Sequence, residues 1–201
     1  MTRSVFALTF VAATLAATAA TAQDRVQLRE QFESGQFQQV VQSVPADAAP
    51  EAQYLAAQSH EKLGAAPQAM EIYAQLAARP EDDPWHFIGE SAQRTLEGNL
   101  DAAVASARQA VAMADGLAEA HFQLGLVLAK RQEWAEGAGA FDRVTQIDPA
   151  NAYAHYYGGL MQYRAGRPDQ MAIHFEQFLK LAPQAPERPE VLQIMRTVRG
   201  R

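Results

Sequence analysis

With 201 residues, 48% of them hydrophobic and 20% charged, the chain can bury a substantial core, which excludes a disordered or fibrous polypeptide. Seventeen basic against 23 acidic residues give a formal net charge of −6 with no run of Lys and Arg, so nucleic acid is excluded as the expected partner. Cysteine is absent, which removes disulfides, thiolate nucleophiles and cysteine-ligated metals.

The chain opens with Arg3, an apolar stretch from Val5 to Ala13, and Ala20-Thr21-Ala22 before Gln23. This is the layout of a secretory signal, and it predicts cleavage after Ala22 and export to a bacterial periplasm. Thr9, Thr14, Thr18 and Thr21 dilute the segment, which disfavours an uncleaved anchor and predicts no stable membrane insertion afterwards. Beyond it alanine is abundant, with 41 in the whole chain, and Val, Ile and Thr are scarce, a balance that predicts helices and little or no strand.

Residues 23–49 carry Phe32, Gly35, Phe37, Val40, Val41 and Val44 and read as a shortened helix pair that caps the larger part of the chain. Gly64, Gly98, Gln132 and Gly166 then recur at intervals of 34 and divide the chain, without insertion or deletion, into blocks 50–83, 84–117, 118–151 and 152–185. Glycine at three of these points supplies the left-handed conformation that a tight helix-to-helix turn demands. Residues 186–201 place Val191, Ile194, Met195 and Val198 at i, i+3, i+4 and i+7, which predicts an amphipathic capping helix.

In the third block Leu124-Gly125, Leu128, Trp134, Gly137, Phe141 and Asp148-Pro149 resemble the tetratricopeptide repeat. The fourth agrees through Gly159, Gly166, Phe175, Phe178 and Pro183, and the first through Ala57, Gly64, Ala69, Tyr73 and Leu76. The second diverges, with Arg94, Ala107 and Asp115 at places where the family has aromatics and proline. The resemblance implies an all-α, right-handed superhelical solenoid whose first helices line a concave groove.

That groove is where the resemblance places partner binding. Its inner positions here hold Tyr54, Trp85, Ile88, Phe122, Leu126, Tyr153, Tyr156, Leu160 and Tyr163, an aromatic and apolar set. Aromatics give large contact area at small entropic cost, so the expected partner is an apolar peptide or helix of another protein. Only Lys130 and Arg164 could hold a terminal carboxylate there, which disfavours a carboxylate clamp. The alternative is a self-associating structural protein whose groove is filled by segment 24–48 or by another copy.

No phosphate loop, zinc helix or nucleophile elbow is present, so the expected mechanism is recognition without catalysis, cofactor or metal. His121 and His155 share one repeat position, but equivalent points on neighbouring helices lie roughly 8–10 Å apart, too far to share an ion, so packing roles are expected.

Overall fold

The computed structural model describes residues 24–199, and the expected signal segment lies outside them. A helix over 24–33 (α1) and Phe37–Ser43 (α2) precede four longer pairs. These are Pro50–Lys62 and Ala66–Ala77 (α3, α4), Pro84–Leu96 and Leu100–Met113 (α5, α6), Ala118–Lys130 and Trp134–Ile147 (α7, α8), and Ala152–Arg164 and Pro168–Leu181 (α9, α10). Arg188–Arg199 (α11) closes the chain, and no strand occurs among the described residues. Each helix packs on its neighbours in sequence, as a helical solenoid requires, and the all-α expectation holds.

The turns explain the period. After α3 the amide of Ala65 donates to the carbonyl of His60 and that of Gly64 to Glu61, the doubly bonded helix ending that needs positive φ at Gly64. The same pair of bonds recurs at Gly98, Gln132 and Gly166, and at Gly35 between α1 and α2. Gln132 is the one non-glycine residue at positive φ among the described residues, at 63°. A Cβ in that conformation costs about 1–2 kcal/mol, of which glycine's extra unfolded-state entropy returns about 0.5–1. Gln132→Gly is therefore expected to stabilise the protein by roughly 0.5–1 kcal/mol, measured as a rise in the midpoint of thermal unfolding.

Helix starts are defined as sharply. The Asp83 carboxylate accepts from the amide of Trp85 at 3.0 Å, and the Asn151 side chain accepts from Ala154 at 2.9 Å, capping α5 and α9. Prolines at Pro50, Pro84 and Pro168 occupy first helical positions, where a missing amide costs nothing.

Inside the pairs, small residues face large ones. Phe141 and Phe175 are fully buried, and a Cβ built on Gly125 or Gly159 would come within 2.7 or 2.4 Å of their rings. These aromatics thus fill space within a repeat as well as between repeats, Phe141 also stacking on Tyr157 of the next repeat with centroids 5.5 Å apart.

The ends depart from a simple stack of caps. α2 packs on α3, but α1 reaches the last two repeats: Phe32 meets Tyr153 edge-on at 4.9 Å, Arg29 pairs with Asp148 at 2.7 Å, and Glu33 accepts from the amide of Ala152 at 3.2 Å. The turn at Gly35 lies against Pro186, and Lys62 pairs with Glu187 at 2.7 Å. The array therefore curls until its ends touch, and α1 crosses the concave side.

Candidate functional site

The first helices α3, α5, α7 and α9 bound the concave side, and α1 divides it. On one side lies a cavity of about 480 Å³ with Phe122, Leu126, Tyr153, Tyr157, Leu160 and Met161 along its walls and Glu61, Lys62, Lys130, Arg164 and Glu190 around them. On the other, a cavity of about 190 Å³ is lined by Leu28, Arg29, Tyr54, Glu119 and Phe122 among others. Phe32 borders both, together with Gln58, Phe122 and Tyr153.

Of the nine expected groove residues, Phe122, Leu126, Tyr153 and Leu160 meet at the larger cavity, and Tyr54 joins Phe122 and Tyr153 at the smaller. The other four line neither. Ile88 is wholly buried under the α4–α5 contact, Trp85 packs edge-on against Tyr54 at 5.9 Å, and the Tyr156 hydroxyl donates to Glu190 at 2.9 Å. Tyr163 is half-buried against the core. Ile88, Trp85 and Tyr156 are thus held by internal packing or bonding, off the open surface expected for them, while Tyr163 stays partly exposed outside both cavities.

Most buried polar groups are paired, while Gln31 Oε1, His60 Nδ1 and Gln162 Oε1 have no hydrogen-bond partner among the described residues. Tyr54 donates to Gln123 at 2.8 Å, and Gln123 donates to Ser91 at 3.2 Å, tying α3, α7 and α5 together. Tyr153 donates to Glu187 at 2.8 Å while the Lys62 ammonium stands 4.8 Å from the centre of its ring. Burial, reinforced by Glu187, raises the Tyr153 phenol above its ordinary range, so it remains a donor at any physiological pH. Arg164 lies over Trp134 at 5.9 Å, and among the described residues no hydrogen bond or ion pair engages the exposed Lys130.

Phe32, Tyr157 and Glu187 were not among the expected site residues. Phe32 reads as a cap residue in sequence, and Tyr157 follows the groove position of Tyr156 by one residue, whereas Leu55, Gly89 and Gln123 take its place in the other repeats. No pattern in the sequence marks that position.

Glu33 anchors α1 beneath the start of α9. Burial pushes its carboxyl up to about 7, against the pull of the Ala152 amide and Arg29, with Asp148 and Glu30 adding to the rise. A folded-state pKa above the unfolded value means that docking is favoured by the protonated form. Its contribution is full below the ordinary carboxylate range and is lost as pH rises through about 7. Discounted for partial solvent exposure, the effect is on the order of 1 kcal/mol. Amide exchange in α1, corrected for its intrinsic rate, is expected to be slower at pH 5 than at pH 8, and Glu33→Gln should flatten that difference.

His121 and His155 do not meet. His121 Nε2 lies 3.0 Å from the carbonyl oxygen of Asp115, and His155 turns instead to His174 in its own repeat.

A family model described as the tetratricopeptide repeat matches residues 51–81, the α3–α4 pair and the turn after it. Those residues form a tetratricopeptide repeat. Similar solved structures include TTC0263, a thermophilic TPR protein of Thermus thermophilus, with 19% identity over 79% of this chain and 88% of that one, at a TM-score of 0.59. YrrB, described as a TPR protein with an unusual peptide-binding site, gives 17% identity, 91% and 89% coverage, and a TM-score of 0.51. MamA gives 19%, 72% and 84%, and 0.50. At these identities the tetratricopeptide likeness is one of fold. No curated protein matches the chain. Among the described residues no helix is long and apolar enough to cross a membrane.

Proposed function

We propose that this protein is a non-catalytic interaction scaffold of the bacterial cell envelope, exported by residues 1–22 with cleavage after Ala22, that binds an apolar peptide or helix of a partner protein on its concave side. Tetratricopeptide proteins generally serve as protein–protein interaction scaffolds. The observation that carries the reading is the cavity of about 480 Å³ beside α1, with Leu126 and Leu160 only half-buried in it and Lys130 without a partner at its edge. Aromatic and aliphatic walls with a few charges around them suit an amphipathic segment better than a small polar metabolite. YrrB's described peptide-binding site lends support from a protein of the same fold. The test is capture from an envelope extract of the source organism by chain 23–201 beside a Leu126→Gln/Leu160→Gln variant. Retention of one protein by the former and its loss by the latter, with unchanged circular dichroism, supports the reading; equal retention by both overturns it.

A second reading is a self-associating structural protein whose groove is filled by its own N-terminal segment or by another copy. The seating of α1 against Tyr153 and Asp148 favours it. Those contacts lie within one chain and so favour its first form; light scattering tests the other, since a strictly monomeric protein at high concentration removes the form in which another copy fills the groove.

A further inference from the structure

Two of the first helices present the same pair of side chains to the concave side. On α7 Leu126 is followed four residues later by Lys130, and on α9 Leu160 is followed four residues later by Arg164. Residues at that spacing share one helix face, and all four line the cavity of about 480 Å³. The other first helices break the pattern, with Gln58 and Lys62 on α3 and Ala92 and Leu96 on α5. The two leucines are half-buried, and the two cations are exposed. The remaining charged groups at this cavity are already engaged: Glu61 accepts from Tyr73 at 2.6 Å, Glu190 accepts from Tyr156 at 2.9 Å, and Lys62 pairs with Glu187 at 2.7 Å. Among the described residues no carboxylate pairs with Lys130 or Arg164, and the Trp134 ring steadies Arg164 instead. The helix ends behind the two cations supply only a partial negative charge, so most of each positive charge is left to offer.

We propose that the partner segment, on the reading that the concave side binds one, is an amphipathic helix whose apolar stripe is bordered by Asp or Glu. Its apolar side chains pack on Leu126 and Leu160, and its carboxylates pair with Lys130 and Arg164. The spacing suits a helix. Equivalent points on neighbouring helices stand roughly 8–10 Å apart, and two carboxylates seven residues apart on one helix face are separated by about 10.5 Å. The same two cations select against other segments. One bordered by Lys meets like charge at both points, and a neutral one takes away part of the cations' hydration without replacing it. With a net charge of −6, the chain as a whole repels acidic segments, so the preference is a local property of this patch.

The probes are three peptides of one helical pattern, acetylated and amidated so that no terminal carboxylate is offered. In each, leucines recur every three or four residues, bordered by Glu, by Gln or by Lys. Titrated against chain 23–201 and followed by fluorescence anisotropy, the Glu peptide is expected to bind at least about fivefold tighter than the Gln peptide, as two exposed ion pairs allow, and the Lys peptide weakest. Added NaCl should narrow the difference. Lys130→Glu/Arg164→Glu should reverse the order of the Glu and Lys peptides and leave the Gln peptide unchanged. Lys180→Glu, exposed on α10 and outside the cavity lining, should alter none of the three. The proposal is overturned if the Glu and Gln peptides bind alike, if the double variant keeps the wild-type order, or if none of the three binds. It is overturned equally if sodium dodecanoate binds tighter than the Glu peptide and loses its hold in the double variant, which makes a lipid carboxylate the occupant. Leu126→Gln/Leu160→Gln keeps this outcome apart from that of the reading beneath it: loss of the Gln peptide in that variant, with no effect of charge, leaves groove recognition standing and removes only the acidic partner.

Discussion

Replacing Gly89 by alanine is expected to destabilise the first repeat pair by about 3 kcal/mol, the upper end of what overpacking a well-packed interior costs. A Cβ at this point of α5 would lie 2.5 Å from the amide nitrogen of Ala77, 2.7 Å from the carbonyl oxygen of Tyr73 and 2.7 Å from Leu76 Cβ. Two of the three obstacles are backbone of α4, so no rotamer change relieves the contact. The helices must part, which loosens the fully buried Leu76 and Ile88 at the same interface. Gly159→Ala meets a comparable distance, 2.4 Å, but its obstacle is the Phe175 ring, a side chain with some freedom to shift, and it should cost less. Gly139 lies mid-helix in α8 with nothing within 4 Å of its would-be Cβ, so Gly139→Ala should instead gain about 0.5–1 kcal/mol from helix propensity. Thermal unfolding followed by circular dichroism checks all three. For a chain of this size a loss of about 3 kcal/mol lowers the midpoint by roughly 6–12 °C. An unchanged midpoint for Gly89→Ala would mean that α4 and α5 are not packed as closely as described.

How much of the fold and the site is legible in the sequence depends on how local each signal is. The glycine turns are local, because each positive φ is set by a handful of neighbouring backbone bonds, so the spacing of Gly64, Gly98 and Gly166 marks the helix pairs. Gln132 keeps its place in the period without the residue type, since the flanking helices impose the same turn on it. The face of the first helices that turns inward is legible for the same reason, and it leads to Phe122, Leu126, Tyr153 and Leu160. What covers that face is less so: segment 24–48 enters only as the alternative reading, and nothing in the sequence decides for it. The hydrogen bond from Ala152 to Glu33 spans 119 positions, and no periodicity records a contact of that range. Phe32, sensibly read as part of a cap, is a wedge in the groove. Gly89 is equally hidden, because its counterparts Leu55, Gln123 and Tyr157 share no common size. The histidine pair escapes because comparing equivalent positions sets His121 beside His155, while the turn between α9 and α10 brings His155 to His174.

The second large effect is expected at Tyr153, and it separates internal packing from partner binding. Its ring meets Phe32 at 4.9 Å, Tyr156 at 6.0 Å and Phe178 at 6.3 Å, with Lys62 over its face, while its hydroxyl holds Glu187. One side chain thus joins α1, α3, α9, α10 and the segment before α11. Tyr153→Ala removes that hub and should cost about 3–5 kcal/mol, as large aromatic truncations in cores do. Because Phe32 loses its main aromatic neighbour, exchange protection in α1 should fall before that of α7 and α8. Tyr153→Phe keeps the ring and loses only the bond to Glu187, which Lys62 still pairs, so its cost should be about 1 kcal/mol. Leu160→Gln, half-buried at the larger cavity, should change stability far less than Tyr153→Ala yet abolish partner capture. The decisive comparison is the midpoint of unfolding set against retention of the partner. If Tyr153→Ala were to leave the midpoint within about 1 °C of the wild type, the ring would be a free anchor and α1 would not be seated on it. If instead the midpoint falls steeply while Leu160→Gln alone loses the partner at nearly native stability, the concave side has two parts. One is a core shared by the two ends of the array, and the other is an open surface beside it that is available for recognition.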